Sequence, residues 1–236
     1  MFDFSMSGKE LLQEYSLDLG MLQDMTSRLN NSHYVTKALQ KFRKKNQVVV
    51  PQVMKTERQN YYLSMMIYDN VRSGRKSVWQ FSSFHIALLS SHKGPMAISF
   101  YPDCNQVVRY TSHFLERYKE RFISTCDDWK TRKELILANN PLEVLAIFMR
   151  RNLVMTWIET KTVFHDRTHI FGPINDGVAL LHWDRKKRLL QANTFITMEM
   201  LNQKQLEMVK WAKMYLSLSE SQKKNYQNPD FLNYKL

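Results

Sequence analysis

The order of two residue patterns along the chain does most to limit the folds open to it. From Val48 to Arg109 most residues are aromatic or aliphatic, and short turn signals such as Arg72-Ser-Gly74 separate candidate strands. Helical patterns precede this region and follow it directly, and a second β-rich region begins at Leu153. Runs of strands that alternate with runs of helices predict an α+β fold with antiparallel sheets.

Periodicity and cap residues locate the individual elements. Ser7 and Glu10 have the spacing of a capping box, which predicts a long amphipathic helix to about Leu29, and a second helix is predicted from His33 to about Lys45. The predicted strands cover 61–68, 78–89, 96–101 and 106–110, and then 153–160, 162–171, 177–183 and 189–197. Further helices are predicted over 112–123, 128–138, 141–150 and 202–218.

Length and composition set the organisation that we expect. With 236 residues and 44% hydrophobic content, the chain can bury the core of one large domain or two small ones. We expect a helical and β extension over 1–104, a helix-plus-antiparallel-sheet domain over 105–218 and a polar tail over 219–236. Two cysteines are too few for a disulfide framework, and no leader pattern or long apolar run occurs. These features predict a soluble cytoplasmic protein without a membrane partner.

The charge balance narrows the classes of partner. The chain has 34 Lys and Arg residues against 22 Asp and Glu residues, which gives a formal net charge of +12. A positive field of this size favours polyanions, and nucleic acid first among them. Basic residues are clustered at predicted loops and helix ends, where contacts with phosphates are common. The predicted nucleic-acid-binding residues are Arg43, Lys44, Lys45, Arg72, Arg75, Lys76, Arg185, Lys186, Lys187 and Arg188.

One predicted helix, over 112–122, carries a pattern that suggests chemistry. Three cationic residues recur every four positions and form one stripe: His113, Arg117 and Arg121. An apolar stripe runs beside it, so that burial of the rings is expected: Phe114, Tyr118 and Phe122. The alternative is that Glu116 and Glu120 pair with the cations within the helix, in contacts worth a few tenths of a kcal/mol each.

The segment from 107 to 200 resembles a known group of proteins. A Ser112-His113 step followed by Arg117 and Arg121, and a later strand Asn193-Thr-Phe-Ile-Thr197, is similar to small toxin-like domains related to the BrnT and RelE-type ribonuclease toxins. The resemblance implies metal-independent cleavage of RNA, RNA ahead of DNA as the partner, and an antitoxin as a further partner. The residues before 105 have no counterpart in those minimal domains.

The resemblance also implies roles for individual residues. Metal-independent cleavage of RNA needs groups that transfer protons and cations that stabilise the phosphorane-like transition state. Histidine titrates near neutral pH, and arginine donates two hydrogen bonds to phosphate. On this basis the candidate catalytic residues are His113 and His169 for proton transfer, Arg117 and Arg121 for the phosphate, and Thr194 or Thr197 as an orienting hydroxyl.

No metal site or cofactor is predicted. His165 and His169 are four residues apart, and on a strand this spacing separates them by roughly 13 Å, which is too far for one ion. The sequence also has no glycine-rich phosphate-binding loop of the usual nucleotide-binding patterns. Two alternatives to a ribonuclease stay open. One is a non-catalytic nucleic-acid-binding or adaptor protein, and the other is a structural protein whose charge serves solubility.

The ribonuclease hypothesis predicts that His113→Ala and Arg117→Ala abolish cleavage of RNA without unfolding the chain. A proton-transfer group contributes about 10²- to 10⁴-fold to the rate, and a donor to the transition-state phosphate contributes on the order of 10²-fold. His92→Ala, in a predicted turn, should leave cleavage unchanged. Cleavage is measured on unlabelled RNA with a chelator present. Intact RNA after hours with the wild-type protein would contradict the hypothesis.

Overall fold

A computed structural model describes residues 1–42, 45–73, 76–91, 94–101, 106–152 and 169–217. Its elements in chain order are α1 (Gly8–Asn30), α2 (His33–Lys41), β1 (Gln47–Lys55), β2 (Tyr61–Ser73), β3 (Lys76–Ser91), β4 (Gly94–Tyr101), β5 (Gln106–Tyr110), α3 (Ser112–Thr125), α4 (Trp129–Leu137), α5 (Pro141–Arg151), β6 (His169–Ile174), β7 (Gly177–Asp184), β8 (Leu189–Ile196), a 3₁₀ helix (Met198–Met200) and α6 (Gln203–Ser217). The α+β class is confirmed. No helix among the described residues is long and apolar enough to cross a membrane.

The chain divides into two compact units, Met1–Val108 and Arg109–Leu236. In the first unit, β1 to β4 form an antiparallel meander in chain order. The sequence-based predictions include no strand over Gln47–Lys55, which forms β1. Pro51 lies within this strand, and β1 pairs only with β2 among the described strands, so that the missing N–H of proline is tolerated at an edge.

Two helices pack on the meander of the first unit. The predicted capping box of α1 is present, because the Ser7 side chain accepts from the Glu10 N–H and the Glu10 carboxylate accepts from the Ser7 N–H. Tyr15 of α1 stacks on Phe100 with a centroid separation of 4.2 Å. In a separate cluster, the buried side chain of Val35 in α2 packs with Val48 of β1 and with Met66 and Tyr68 of β2.

The apolar face of α1 also carries two acidic residues. Asp18 is fully buried, and its Oδ2 accepts hydrogen bonds from Tyr62 at 2.8 Å and Asn60 at 2.7 Å. Glu14 accepts from Nη2 of Arg58 at 2.7 Å, and this hydrogen bond is the main cause that lowers the pKa of Glu14 to about 2. Buried carboxylates require such partners, because an unpaired charge in the core is strongly destabilising. The network therefore fixes α1 against the β1–β2 turn and β2.

The second unit is built around an aromatic core supplied largely by α3. Three predicted core residues of this helix are buried, which confirms the orientation deduced from the sequence: Phe114, Tyr118 and Phe122. Phe148 of α5 packs edge-on against Tyr118 at 4.9 Å, and Phe195 of β8 does so at 5.0 Å. The rings thus join a helix layer to a sheet.

Strands β6, β7 and β8 of the second unit form two antiparallel pairs with β7 in the centre. Gly177 opens β7 with φ +158°, and a Cβ there would lie 2.4 Å from the Ile196 carbonyl oxygen, so that only glycine fits. The predicted strand over 153–160, most of that over 162–171 and the predicted tail from 219 lie outside the described residues.

A buried histidine lies in the sheet of the first unit. His85 is 3% exposed, and its Nδ1 is 2.8 Å from Oγ of Ser64 on the paired strand. Nε2 is 3.4 Å from Oγ of Ser83. Burial lowers the pKa of His85 to about 4, because the low dielectric of the core disfavours the charged imidazolium.

This burial predicts a pH dependence of stability. Because the folded-state pKa of His85 lies below the unfolded value of about 6.5, the unfolded state binds a proton first as the pH falls. The free energy of unfolding should therefore fall by up to about 3 kcal/mol as the pH is lowered from 6.5 to 4. Above pH 6.5 the contribution of His85 to this free energy should be constant. His85→Gln should remove this component in urea titrations at several pH values, whereas His113→Gln, at an exposed position, should keep it. An unchanged slope in His85→Gln would contradict the assignment.

Candidate functional site

The first two residues of the cationic stripe of α3 lie on the exposed side of the helix. The His113 side chain is 57% exposed, and its Nδ1 lies 4.0 Å from Oε2 of Glu116. Arg117 donates from Nη1 to Oε2 of Glu120 at 2.8 Å, and both of these side chains are exposed. The intrahelical pairs that the sequence offered as the alternative are therefore present. Each of these two side chains thus lies beside a glutamate of its own helix.

The third residue of the stripe has a different environment. Arg121 donates from Nη1 to the backbone carbonyl oxygen of Phe195 on β8. The sequence predicts that α3 lies near the strand that contains Thr194. In the structure the two elements are in contact, and the Arg121 guanidinium binds the main chain of that strand. Thr194 itself is half-buried opposite Leu180 of β7.

The other two candidate catalytic residues lie elsewhere in the second unit. His169 opens β6 opposite His182 of β7, and its side chain is outside the described residues. Thr197 is 3% exposed and lies directly after β8, where it lines a pocket. No contact in the described part of the chain joins either residue to His113.

The most highly connected polar group of the second unit is Asp176, in the β6–β7 turn. Its carboxylate is 2% exposed and accepts from the Tyr118 hydroxyl at 2.7 Å, from Nδ2 of Asn152 at 3.0 Å and from two nitrogens of Arg151 at 2.8 to 3.0 Å. Burial and the neighbouring Asp176 raise the pKa of Tyr118, and the hydrogen bonds to Asp176 raise the pKa of Arg151. Asp176 and Arg151 therefore form a pair whose geometry is fixed by several hydrogen bonds.

A pocket of about 400 Å³ lies beside this pair. Its lining includes the carboxylates of Asp127, Asp128, Asp176 and Glu199 and one guanidinium, that of Arg151. The guanidinium is already engaged by Asp176 and lies 5.0 Å from the centroid of a phenylalanine ring. A pocket with this charge excess disfavours a phosphate ligand by Coulomb repulsion. The position of Thr197 in its wall therefore gives no support to a phosphate site there.

Sequence reasoning did not identify the Asp176 network. In the sequence, the pattern Asn175-Asp-Gly177 indicates only a turn, and the partners of Asp176 are 24 to 58 residues away. For the carboxylate network of the first unit, by contrast, the sequence does contain an indication. Glu14 and Asp18 fall on the same helical face as Leu11 and Leu22, and a carboxylate at such a position indicates a buried partner. The described residues contain no cluster of histidine, cysteine and acidic side chains suited to a metal.

Two of the predicted basic clusters meet at one end of the first unit's sheet. Asn70 of β2 donates from its backbone N–H to the Asn46 carbonyl at 2.7 Å and from Nδ2 to the Lys45 carbonyl at 3.1 Å. Lys45 lies with Nζ 5.0 Å from the centroid of the Phe42 ring. Arg72 and Lys76 occupy the pairs of β2 and β3 just beyond Asn70, while Arg43, Lys44 and Arg75 lie outside the described residues.

The third predicted cluster, Arg185 to Arg188, forms the turn between β7 and β8 in the second unit. Arg185, Lys186 and Arg188 are exposed, and Lys187 is half-buried with its N–H bound to Asp184 at 3.0 Å. Arg188 has φ +52°, a left-handed conformation that closes the turn. Within the described part of the chain, Arg185, Lys186 and Arg188 form no ion pair. Four consecutive basic residues at a hairpin turn thus present a concentrated positive charge.

Comparison with known proteins gives no relative for this chain. No protein-family model, no curated protein and no solved structure matches it. The resemblance to ribonuclease toxins therefore stays a prediction from the sequence.

The Asp176 network predicts a large effect of Asp176→Asn. The amide leaves the Arg151 guanidinium without its closest anionic partner and with only Asp128 at 3.9 Å, and loss of one partner of a buried pair should cost about 2–4 kcal/mol here, since the Arg151 side chain is 30% exposed. Glu120→Gln, which disrupts an exposed pair, should change stability by at most about 0.5 kcal/mol. Urea unfolding of both variants measures the difference. Equal stabilities would contradict the structural role of Asp176.

Proposed function

We propose that this protein binds nucleic acid by contacts between exposed basic clusters and phosphates, without a catalytic centre on α3. The single observation that carries the proposal is the meeting of two basic clusters at Asn70. Residues 41–45 and 72–76 are almost 30 positions apart in sequence, and Asn70, two positions before Arg72, binds the backbone carbonyls of Lys45 and Asn46. A surface that gathers cations from separate segments is the electrostatic footprint expected for a polyanion.

The nearest acidic group at this end of the sheet has its own partner. Asp69 precedes Asn70 and accepts from Nε2 of Gln47 at 2.7 Å. The segments 41–45 and 72–76 themselves contain no acidic residue that would offset their positive charge. The β7–β8 turn of the second unit supplies a second basic surface with three exposed side chains.

Two observations favour binding over cleavage at the predicted residues. His113 and Arg117 are exposed and each lies beside a glutamate, so that neither is held where a scissile phosphate would be desolvated. Thr197 lines an acidic pocket. The preference for RNA rests on the sequence resemblance alone, because phosphate contacts do not distinguish RNA from DNA.

The proposal is tested by removing the cations of the first unit. In the variant Lys41→Gln, Lys45→Gln, Arg72→Gln, Lys76→Gln, affinity for a 20-nucleotide RNA and a 20-base-pair DNA should fall at least about tenfold at roughly 50 mM salt. The slope of log affinity against log salt should also become shallower, by about 0.7 to 0.9 for each phosphate that the variant no longer neutralises. Fluorescence anisotropy over a salt series gives both quantities.

A matched control distinguishes the effect of where the removed charges lie from the effect of the total charge. The variant Lys9→Gln, Lys130→Gln, Lys133→Gln, Lys210→Gln also removes four charges, from exposed helical positions in both units. It should keep most of the affinity and the slope of the wild-type protein. Equal losses of affinity in the two variants would mean that net charge alone attracts the ligand. No binding by the wild-type protein at low salt would overturn the proposal.

A further inference from the structure

The pocket beside the Asp176–Arg151 pair is opposite in charge to the protein as a whole. The chain has a formal net charge of +12, yet four carboxylates and one guanidinium line this pocket. The guanidinium of Arg151 is bound by Asp176 at 2.8 Å, which leaves three carboxylates in excess: Asp127, Asp128 and Glu199. A pocket of this charge attracts cations and repels anions.

The nitrogen and sulfur donors among the side chains that line the pocket are engaged within the protein. Nδ2 of Asn175 donates to the Arg151 carbonyl oxygen at 2.6 Å, and Sγ of Cys126 donates to the Asp128 carbonyl oxygen at 3.5 Å. The carboxylates of Asp127 and Glu199 are exposed, and neither forms an ion pair or hydrogen bond with another described residue. The pocket therefore offers acceptors, and a ligand that matches it has to supply donors.

A buried hydroxyl in the wall of the pocket is also without a partner. Thr197 is 3% exposed, and its side chain does not cap the 3₁₀ helix that follows it. Its Oγ1 forms no hydrogen bond within the described part of the chain. It is also not among the unpaired side-chain atoms there that are sealed from solvent, so that it is accessible from the pocket that the residue lines. Because buried polar groups are nearly always hydrogen-bonded, this hydroxyl indicates a position for a ligand donor.

The third carboxylate has a structural role that the other two lack. Asp128 is the N-cap of α4 and accepts from the N–H groups of Lys130 and Thr131 and from the Thr131 hydroxyl. The Thr131 hydroxyl is the main cause that lowers the pKa of Asp128. Asp127 and Glu199 cap no helix, so that they can be changed without loss of a contact that holds the fold.

The lining narrows the class of cation. No three histidine, cysteine or acidic side chains of the described residues are grouped so that they could hold a metal ion. The volume of about 400 Å³ is within the range of about 300–1,000 Å³ that is typical of small-molecule sites. Phe122 and Met198 add apolar surface to the lining, which suits an aliphatic chain.

Two unpaired carboxylates suit two cationic groups on one ligand. We infer that the pocket binds a small organic dication with N–H donors, of the class of aliphatic diamines and guanidino-amines. Asp127 and Glu199 accept from its cationic groups, and the Thr197 hydroxyl accepts a further hydrogen bond. This activity is separate from the binding of nucleic acid, since the pocket contains none of the basic clusters.

The test measures binding of putrescine and agmatine by isothermal titration calorimetry. Tetramethylammonium, which is a cation without N–H groups, should bind at least about tenfold more weakly than either dication, because it donates no hydrogen bond. Inorganic phosphate should not bind in the pocket. In wild-type protein labelled at its methionine methyl groups, the nuclear magnetic resonance signal of Met198 should shift on addition of putrescine. The signal is assigned with Met198→Leu.

Variants test the residues that the inference names. Asp127→Asn, Glu199→Gln should weaken putrescine binding at least about tenfold. The control variant, Glu116→Gln, Glu120→Gln, removes two exposed carboxylates from α3 in the same unit and should change it by less than about twofold. Thr197→Val should weaken binding about fivefold. It should unfold at the same or a higher temperature than the wild-type protein, because no hydrogen bond within the described residues is lost.

Four results would each overturn the inference. They are absence of binding of both dications to the wild-type protein, equal affinity for tetramethylammonium and putrescine, equal losses of affinity in the two double variants, and a Met198 signal that does not move at saturating putrescine. The last measurement uses the wild-type protein and does not depend on whether a variant folds. None of these results bears on the proposed binding of nucleic acid.

Discussion

The need of a buried carboxylate for hydrogen-bond donors connects helices to strands in both units. Asp18 on α1 is reached by Tyr62 of β2, and Asp176 in the β6–β7 turn is reached by Tyr118 of α3 and Arg151 of α5. In each case the donors come from elements that are distant in sequence. Since an unpaired charge in the core costs several kcal/mol, each network specifies one arrangement of its unit.

These networks also affect where the positive charge of the protein acts. Inside the units, guanidinium groups such as those of Arg58 and Arg151 are neutralised by carboxylates. At the β7–β8 turn, by contrast, three exposed cations form no ion pair within the described part of the chain: Arg185, Lys186 and Arg188. Charge that is not neutralised by the core is available to a ligand, and its clustering makes the local field stronger than an even distribution would.

Helix α3 and the hairpin of β2 and β3 differ in how much of their arrangement the sequence reveals. The stripe of His113, Arg117 and Arg121 has a regular spacing that suggests a site, but a helix places every fourth residue on one face whether the face binds a ligand or only pairs with glutamates. The hairpin of β2 and β3 carries no such spacing. Its extent follows from strand register, because pairing with β1 stops at Gln47 and Asp69 while β2 and β3 stay paired to Ser73 and Lys76.

The features that depend on local patterns could be predicted from the sequence alone. The capping box at Ser7, the buried rings of α3 and most strands of the meander follow from spacing, since caps, helical faces and alternation extend over a few residues only. Which separated segments meet could not be predicted in this way. The partners of Asp176, the contact of Asn70 with the chain before β1 and the point where β1 stops pairing with β2 all depend on strand register. Register is fixed by packing of the whole unit, so that no local pattern records it.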